Sequence, residues 1–105
     1  MTLANVPDSA IKQVLSENRQ SVLSLATKHG ASNVRVFGSV VRGEATENSD
    51  IDFLVDYDIT KTTPWFPVGL IHELEELLNR KVDVVPAYAI HHFIKEQVMK
   101  EAIAL

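Results

Sequence analysis

The chain has 105 residues, of which 10 are Lys or Arg, 14 are Asp or Glu and none is Cys. This length suffices for one modest hydrophobic core, so we expect a single domain over residues 1–105. A composition with 46% hydrophobic and 23% charged residues excludes a disordered segment. The formal net charge of −4 disfavours a nucleic-acid binder, because neutralising phosphates requires a basic face.

Two further classes are excluded by what the sequence lacks. Without cysteine there is no disulfide framework or thiolate metal site, which fits a reducing compartment. The most apolar uncharged stretch, residues 62–71, contains two prolines and is too short to cross a bilayer. The chain does not open with a basic segment followed by an apolar run. We therefore expect a cytoplasmic domain without membrane contact.

The first predicted element is helical. Apolar residues recur at helix spacing over residues 7–28, with Asp8 or Ser9 as the cap and Gly30 as the stop. A polar interruption leaves open a division into two helices, with Ser16 capping the second.

Strands and helices alternate after that. We expect strands over residues 33–37, 51–57 and 82–85, and helices over residues 40–44, 68–78 and 90–102. This order predicts an α/β (α+β) domain in which helices flank a small mixed sheet. Between the second strand and its helix, Trp65 and Phe66 stand between prolines, where they either cap the core or form a contact surface.

Two carboxylates at the start of the second strand are the first chemical signal. Asp50 and Asp52 are two residues apart, so their side chains point to the same face, about 6.6 Å apart along the strand. Their repulsion raises one pKa unless a cation lies between them. Oxygen ligands of this kind suit Mg²⁺, especially together with substrate phosphates. The residues that alternate with them, Ile51, Phe53 and Val55, are predicted to anchor the strand in the core.

A glycine turn after the first strand is the second signal. Gly38 and Ser39 lie between a strand and a short helix, where backbone N–H groups favour an anion. Arg42 lies one helical turn further on and could bind a phosphate oxygen. The alternative for Arg42 is a surface ion pair with Glu44 or Glu47.

The histidines carry no comparable signal. His72 and Glu73 lack a second histidine at position 76, which is Glu76, so the zinc-protease pattern fails. His91 and His92 are more typical of a helix start than of a metal site.

The combination of the glycine turn and the carboxylates resembles a known signature. Gly38-Ser39, ten intervening residues and then Asp50-Ile51-Asp52 resemble the GS…DxD motif of the DNA polymerase β-like nucleotidyltransferase superfamily. The string GSVVRGEATENSDIDFLV is similar to its minimal nucleotidyltransferase (MNT) branch. The third carboxylate of that family matches Asp83, which lies among valines, where burial would require a partner.

The resemblance implies a polymerase β-like fold and a metal-dependent site. One of two Mg²⁺ ions would neutralise the triphosphate and the leaving pyrophosphate, and the other would lower the pKa of the acceptor hydroxyl. Asp83 would help to take the proton of that hydroxyl. The catalytic and metal-binding residues it implies are Asp50, Asp52 and Asp83, and the nucleotide-binding residues are Gly38, Ser39 and Arg42.

The same resemblance implies a biological role. MNT domains supply the antitoxin of HEPN–MNT toxin–antitoxin pairs, so we expect transfer of AMP from ATP to a hydroxyl, in that family a tyrosine, of a cognate HEPN ribonuclease toxin. A hetero-oligomer with the toxin is expected, and nucleic acid is not expected as a partner. Two alternatives stay open: an antitoxin that only masks its partner, and the catalytic subunit of a split small-molecule nucleotidyltransferase.

Overall fold

The computed structural model describes residues 3, 9–46, 48–90 and 92–105, with only the backbone of residues 92 and 93. Its elements in chain order are α1 (Ala10–Glu17), α2 (Arg19–Lys28), β1 (Ala31–Phe37), α3 (Ser39–Arg42), β2 (Ile51–Tyr57), α4 (Val68–Leu78), β3 (Val82–Pro86), a 3-10 turn (Ala87–Ala89), α5 (His92–Glu101) and β4 (Ile103–Ala104). Within the described ranges, no helix is both long and apolar enough to cross a membrane. The predicted order of elements is confirmed, and the 3-10 turn and β4 are additions to it.

The first helical region is divided in two, as the polar interruption suggested. The hydroxyl of Ser9 caps α1 by accepting a hydrogen bond from the Lys12 backbone N–H at 3.0 Å. The division falls at Asn18, which ends α1 and precedes α2. Ser16 does not cap the second helix, because its hydroxyl donates to the Lys12 carbonyl inside α1. Asp8 lies outside the described residues.

Gly30 ends the helical region and leads directly into the sheet. Its φ of +80° lies in the left-handed region, and a Cβ there would be 2.9 Å from the backbone of Lys61. Strand β1 then begins at Ala31, two residues earlier than predicted, because Ala31 pairs with Tyr57 at the far end of β2.

The four strands form one mixed sheet in the order β3-β2-β1-β4. Strand β1 is antiparallel to both β2 and β4, whereas β2 and β3 are parallel and are joined through α4. The register aligns Phe37, Asp52 and Asp83 across three neighbouring strands, so their side chains share one face.

The main core lies against the opposite face. Ile51, Phe53 and Val55 are at most 1% exposed there, which confirms their predicted anchoring role. They pack in one cluster with apolar residues of α1, α2 and α4. Burial of this alternating set fixes the strand register and therefore turns Asp52 toward the other face.

The face that carries Asp52 is partly covered by the chain's last helix. Leu54 is fully buried on this face, and Val98 of α5 is 7% exposed. The helix begins at His92 and ends at Glu101, so it is shorter at both ends than predicted. Its apolar residues are only partly buried, because Ile94 is 52% exposed. The side chain of Phe93 lies outside the described residues.

The two aromatic residues between prolines have different environments. Phe66 stacks on Tyr57 with ring centroids 4.8 Å apart and packs against the core. Trp65 is 77% exposed. Phe66 therefore caps the core, while Trp65 belongs to the surface.

Candidate active site

The three predicted carboxylates lie around the beginning of β2. Asp52 and Asp83 are register partners in the parallel strands β2 and β3, and Asp50 directly precedes β2. Neighbouring strands are about 4.8 Å apart, so the Asp52 and Asp83 side chains stand side by side. Asp50 and Asp83 are exposed, whereas Asp52 is half-buried. Asp83 therefore does not need the partner that burial among its valines would have required.

Electrostatic crowding is concentrated on Asp52. Burial, followed by the charges of Asp83 and Asp50, raises the pKa of Asp52 from 3.8 to about 6. Arg42 opposes this rise and Glu101 adds to it. The repulsion predicted from the Asp-x-Asp spacing is present, but desolvation is the larger cause of the raised pKa.

The glycine turn lies directly against Asp52. Gly38 precedes α3 with a φ of +80°, and a Cβ at this position would overlap Oδ2 of Asp52. Only glycine therefore fits both the backbone conformation and the contact. Ser39 begins α3, and among the described residues nothing accepts a hydrogen bond from the backbone N–H of Ser39 or Val40.

Arg42 is held by two carboxylates. Its Nε donates to Glu44 at 3.0 Å, and its Nη1 donates to Glu101 at 2.6 Å. The hydrogen bonds that Arg42 donates to these two glutamates raise the pKa of its guanidinium above the ordinary value. The alternative pairing with Glu44 therefore occurs, while Glu47 lies outside the described residues.

Glu101 is the residue of this site that the sequence did not reveal. Its second carboxylate oxygen accepts a hydrogen bond from the Gly38 backbone N–H at 3.2 Å, so it bridges the turn and Arg42. Because 63 positions separate Glu101 from Gly38, no local spacing signals the contact. The sequence shows only that an acidic residue lies near the end of the last predicted helix, and such residues are common on solvent-exposed helices.

An apolar pocket adjoins the carboxylates. It has a volume of about 300 Å³, and Asp52 and Asp83 form its polar side. The remaining residues that line it are Phe37, Val85, Ala89, Ile90, Ile94 and Val98. A ligand in this pocket would have an apolar body and one polar end directed at the two carboxylates.

The carboxylates suit a hard divalent cation. Asp52 experiences charge repulsion from three carboxylates, those of Asp83, Asp50 and Glu101, and Arg42 acts against it. A bound cation would relieve this repulsion, and carboxylate oxygens are the ligands that Mg²⁺ prefers. Within the described part of the chain, no three acidic or imidazole side chains already form a metal-holding cluster. The donor chemistry therefore fits Mg²⁺, and the ligand set is not preassembled.

Fold and site together define the class of protein. A mixed sheet that presents Asp-x-Asp beside a Gly-Ser turn, with a third aspartate on the neighbouring strand, is the polymerase β-like nucleotidyltransferase fold. A family model described as "Nucleotidyltransferase domain" matches residues 15–105. The chain belongs to this family, and its place is in the minimal nucleotidyltransferase branch.

Individual relatives agree with this placement. A Methanocaldococcus jannaschii protein, provisionally named a protein adenylyltransferase, is 36% identical over 89 residues, which are 85% of this chain and 95% of that protein. The protein adenylyltransferase MntA of Thermococcus cleftensis is 34% identical over 93 residues, covering 89% and 90% of the two chains.

Solved structures share the fold. One that is provisionally described as a minimal nucleotidyltransferase has a TM-score of 0.77 and 42% identity, covering 100% of this chain and 97% of that one. A toxin–antitoxin structure with AMP-PNP has a TM-score of 0.66 at 22% identity, covering 83% and 71% of the chains, and this likeness concerns the fold alone.

Proposed function

We propose that the protein is an antitoxin that transfers AMP from ATP to a hydroxyl group, a tyrosine, of a cognate HEPN ribonuclease toxin. The observation that carries this proposal is Asp52, which lies between Asp50 and Asp83 with the Gly38 turn packed on its carboxylate. Relatives named protein adenylyltransferases support AMP as the transferred group and a protein as the acceptor.

The proposed reaction is an in-line displacement at the α-phosphorus of ATP. The acceptor oxygen forms a bond to the α-phosphorus, the bond from that atom to the oxygen bridging to the β-phosphorus breaks, and pyrophosphate leaves. The acceptor's proton passes to Asp83, which is exposed beside the pocket. Asp50, Asp52 and Asp83 would hold Mg²⁺, which when bound neutralises triphosphate charge and activates the acceptor hydroxyl.

The phosphates are assigned to the glycine turn. The backbone N–H groups of Ser39 and Val40, which lack an acceptor among the described residues, are available to phosphate oxygens. Arg42 uses two of its five N–H donors on Glu44 and Glu101, and the other three, which have no acceptor among the described residues, are assigned to the triphosphate. Catalysis in this arrangement is mainly positioning and charge neutralisation.

The apolar pocket supports a tyrosine acceptor. A dry cavity of about 150 Å³ lined by apolar side chains holds a benzene ring, so the pocket of about 300 Å³ has room for one aromatic side chain. A phenol ring placed there directs its hydroxyl toward Asp52 and Asp83. Serine or threonine would leave the pocket unfilled. The acceptor comes from another protein, so a complex between antitoxin and toxin is part of this proposal.

The test replaces Asp50 and Asp52 together by Asn and measures transfer of label from α-labelled ATP to the toxin. We expect transfer to be lost while the fold is retained, because Asn keeps the size of Asp but removes the charge that binds the metal. Asp56→Asn is the matched control, since Asp56 shares the face of Asp52 but pairs with Arg35. Normal labelling by the double variant would contradict the site assignment, and rescue of cells without labelling would indicate masking.

A further inference from the structure

Glu101 joins two parts of the site that lie far apart in sequence. One carboxylate oxygen accepts a hydrogen bond from Nη1 of Arg42 at 2.6 Å, and the other accepts from the Gly38 backbone N–H at 3.2 Å. The side chain is only 13% exposed, whereas that of Glu44, the other partner of Arg42, is 65% exposed. A carboxylate with both oxygens engaged and little water around it is held in one position.

The consequence for Arg42 is a fixed orientation. Its guanidinium is planar, so hydrogen bonds at Nε and Nη1 define the plane, and neither of these two contacts uses the Nη2 donors. The side chain remains 43% exposed, so those donors are accessible to an anion. Arg42 can therefore bind a phosphate without releasing Glu101.

The consequence for the turn is a fixed position over the metal-binding carboxylate. Gly38 packs on Asp52 so closely that a Cβ would overlap the Asp52 oxygen. The hydrogen bond from its N–H to Glu101 ties this turn to the end of α5. Glu101 therefore restrains the turn, where phosphates are proposed to bind, in its position against Asp52.

We propose that Glu101 is a positioning residue for nucleotide binding, which orients Arg42 and holds the Gly38 turn for the triphosphate. This inference rests on the proposed function, because it assigns a residue to the same nucleotide site. The opposite role is chemically possible, since a carboxylate on an amide and an arginine occupies places where a phosphate oxygen could bind. The two roles predict opposite changes in affinity when Glu101 is altered.

The experiment measures binding of Mg-ATP to the full chain by calorimetry for Glu101→Gln. An amide has one acceptor oxygen, so this variant loses either the Gly38 or the Arg42 hydrogen bond together with the charge. We expect the Kd for Mg-ATP to rise about tenfold, with Glu101→Asp between wild type and Glu101→Gln because it keeps the charge on a shorter side chain. The control is Glu96→Gln on the same helix, where Glu96 is 82% exposed and pairs with Lys100; it should bind normally.

A double-variant cycle separates positioning from a general loss of structure. If Glu101 acts in part through Arg42, then the loss of Mg-ATP affinity in Arg42→Ala with Glu101→Gln is smaller than the sum of the losses in the two single variants. In transfer assays Glu101→Gln should raise the KM for ATP more than it lowers kcat. The proposal is overturned if Glu101→Gln, with wild-type circular dichroism, binds Mg-ATP equally or more tightly, or if the two substitutions are additive. Failure of the wild-type chain to bind Mg-ATP would instead contradict the proposed function.

Discussion

Replacing Asp52 by Asn should make the metal-free protein more stable at neutral pH. Folding places the Asp52 carboxylate in a half-buried position beside Asp83 and Asp50, which raises its pKa to about 6. At pH 7.5 the folded protein therefore holds an ionised group in an environment that disfavours ionisation. Asn has nearly the same shape and no charge, so the substitution removes this cost.

The magnitude follows from the change in pKa. A rise from 3.8 to about 6 corresponds to at most about 3 kcal/mol, at about 1.4 kcal/mol for each tenfold change in the ionisation constant. Asp52 keeps contact with solvent, so screening reduces the expected gain to about 1 kcal/mol. Because the folded-state pKa lies above the unfolded one, the stabilising effect of the protonated carboxyl is complete below about pH 4 and lost as the pH rises through about 6.

The assay is urea unfolding of wild type and Asp52→Asn in the presence of a chelator, at about pH 4 and about pH 7.5. We expect the variant to exceed wild type by about 1 kcal/mol at the higher pH and to match it at the lower pH. Asp56→Asn is the control: Asp56 binds Arg35 and Asn33, so its loss should not stabilise the protein. Two results would contradict the conclusion that folding disfavours ionisation of Asp52. One is an Asp52→Asn variant less stable than wild type at pH 7.5, and the other is the same difference in unfolding free energy at both pH values.

Two further predictions concern the turn and the core. Gly38→Ala should abolish Mg-ATP binding in calorimetry, because its Cβ overlaps Asp52, whereas Gly43→Ala at a similar φ of +73° should bind and lose only about 1 kcal/mol in urea unfolding. Equal binding of Mg-ATP by both alanine variants would contradict the assigned role of the contact between Gly38 and Asp52. Phe53→Ala should lower the free energy of unfolding by about 3–5 kcal/mol, because Phe53 is fully buried on the face of β2 opposite Asp52. A loss below about 1 kcal/mol in thermal unfolding would contradict the assigned core.

The strands and the carboxylate motif could be predicted because their signals are local. Strand β2 begins and ends where the sequence pattern places it, and the alternation of Ile51, Phe53 and Val55 with Asp52 follows from a period of two. The glycine turn was predictable because Gly38 and Ser39 stand directly between a strand and a helix. These features are properties of adjacent residues.

The remaining features depend on contacts between distant segments. Strand β4 has two residues, and it exists because Ile103 and Ala104 pair with β1. Glu101 joins the site because the end of α5 lies beside Gly38. The apolar pocket is likewise formed by residues of β1, β2, β3, the end of the 3-10 turn and α5 together. No window of neighbouring residues contains this information, since tertiary packing decides it.

The most direct test of nucleotidyl transfer uses ATP labelled at either the α- or the γ-phosphate, with magnesium and a HEPN ribonuclease as the proposed acceptor protein. The proposed function predicts that α-label, and not γ-label, becomes attached to a tyrosine of this acceptor protein, as mapped by mass spectrometry of its peptides. The Asp50→Asn, Asp52→Asn double variant should give no label. Transfer of the γ-label, or α-label transferred equally by the double variant, would contradict nucleotidyl transfer at this site.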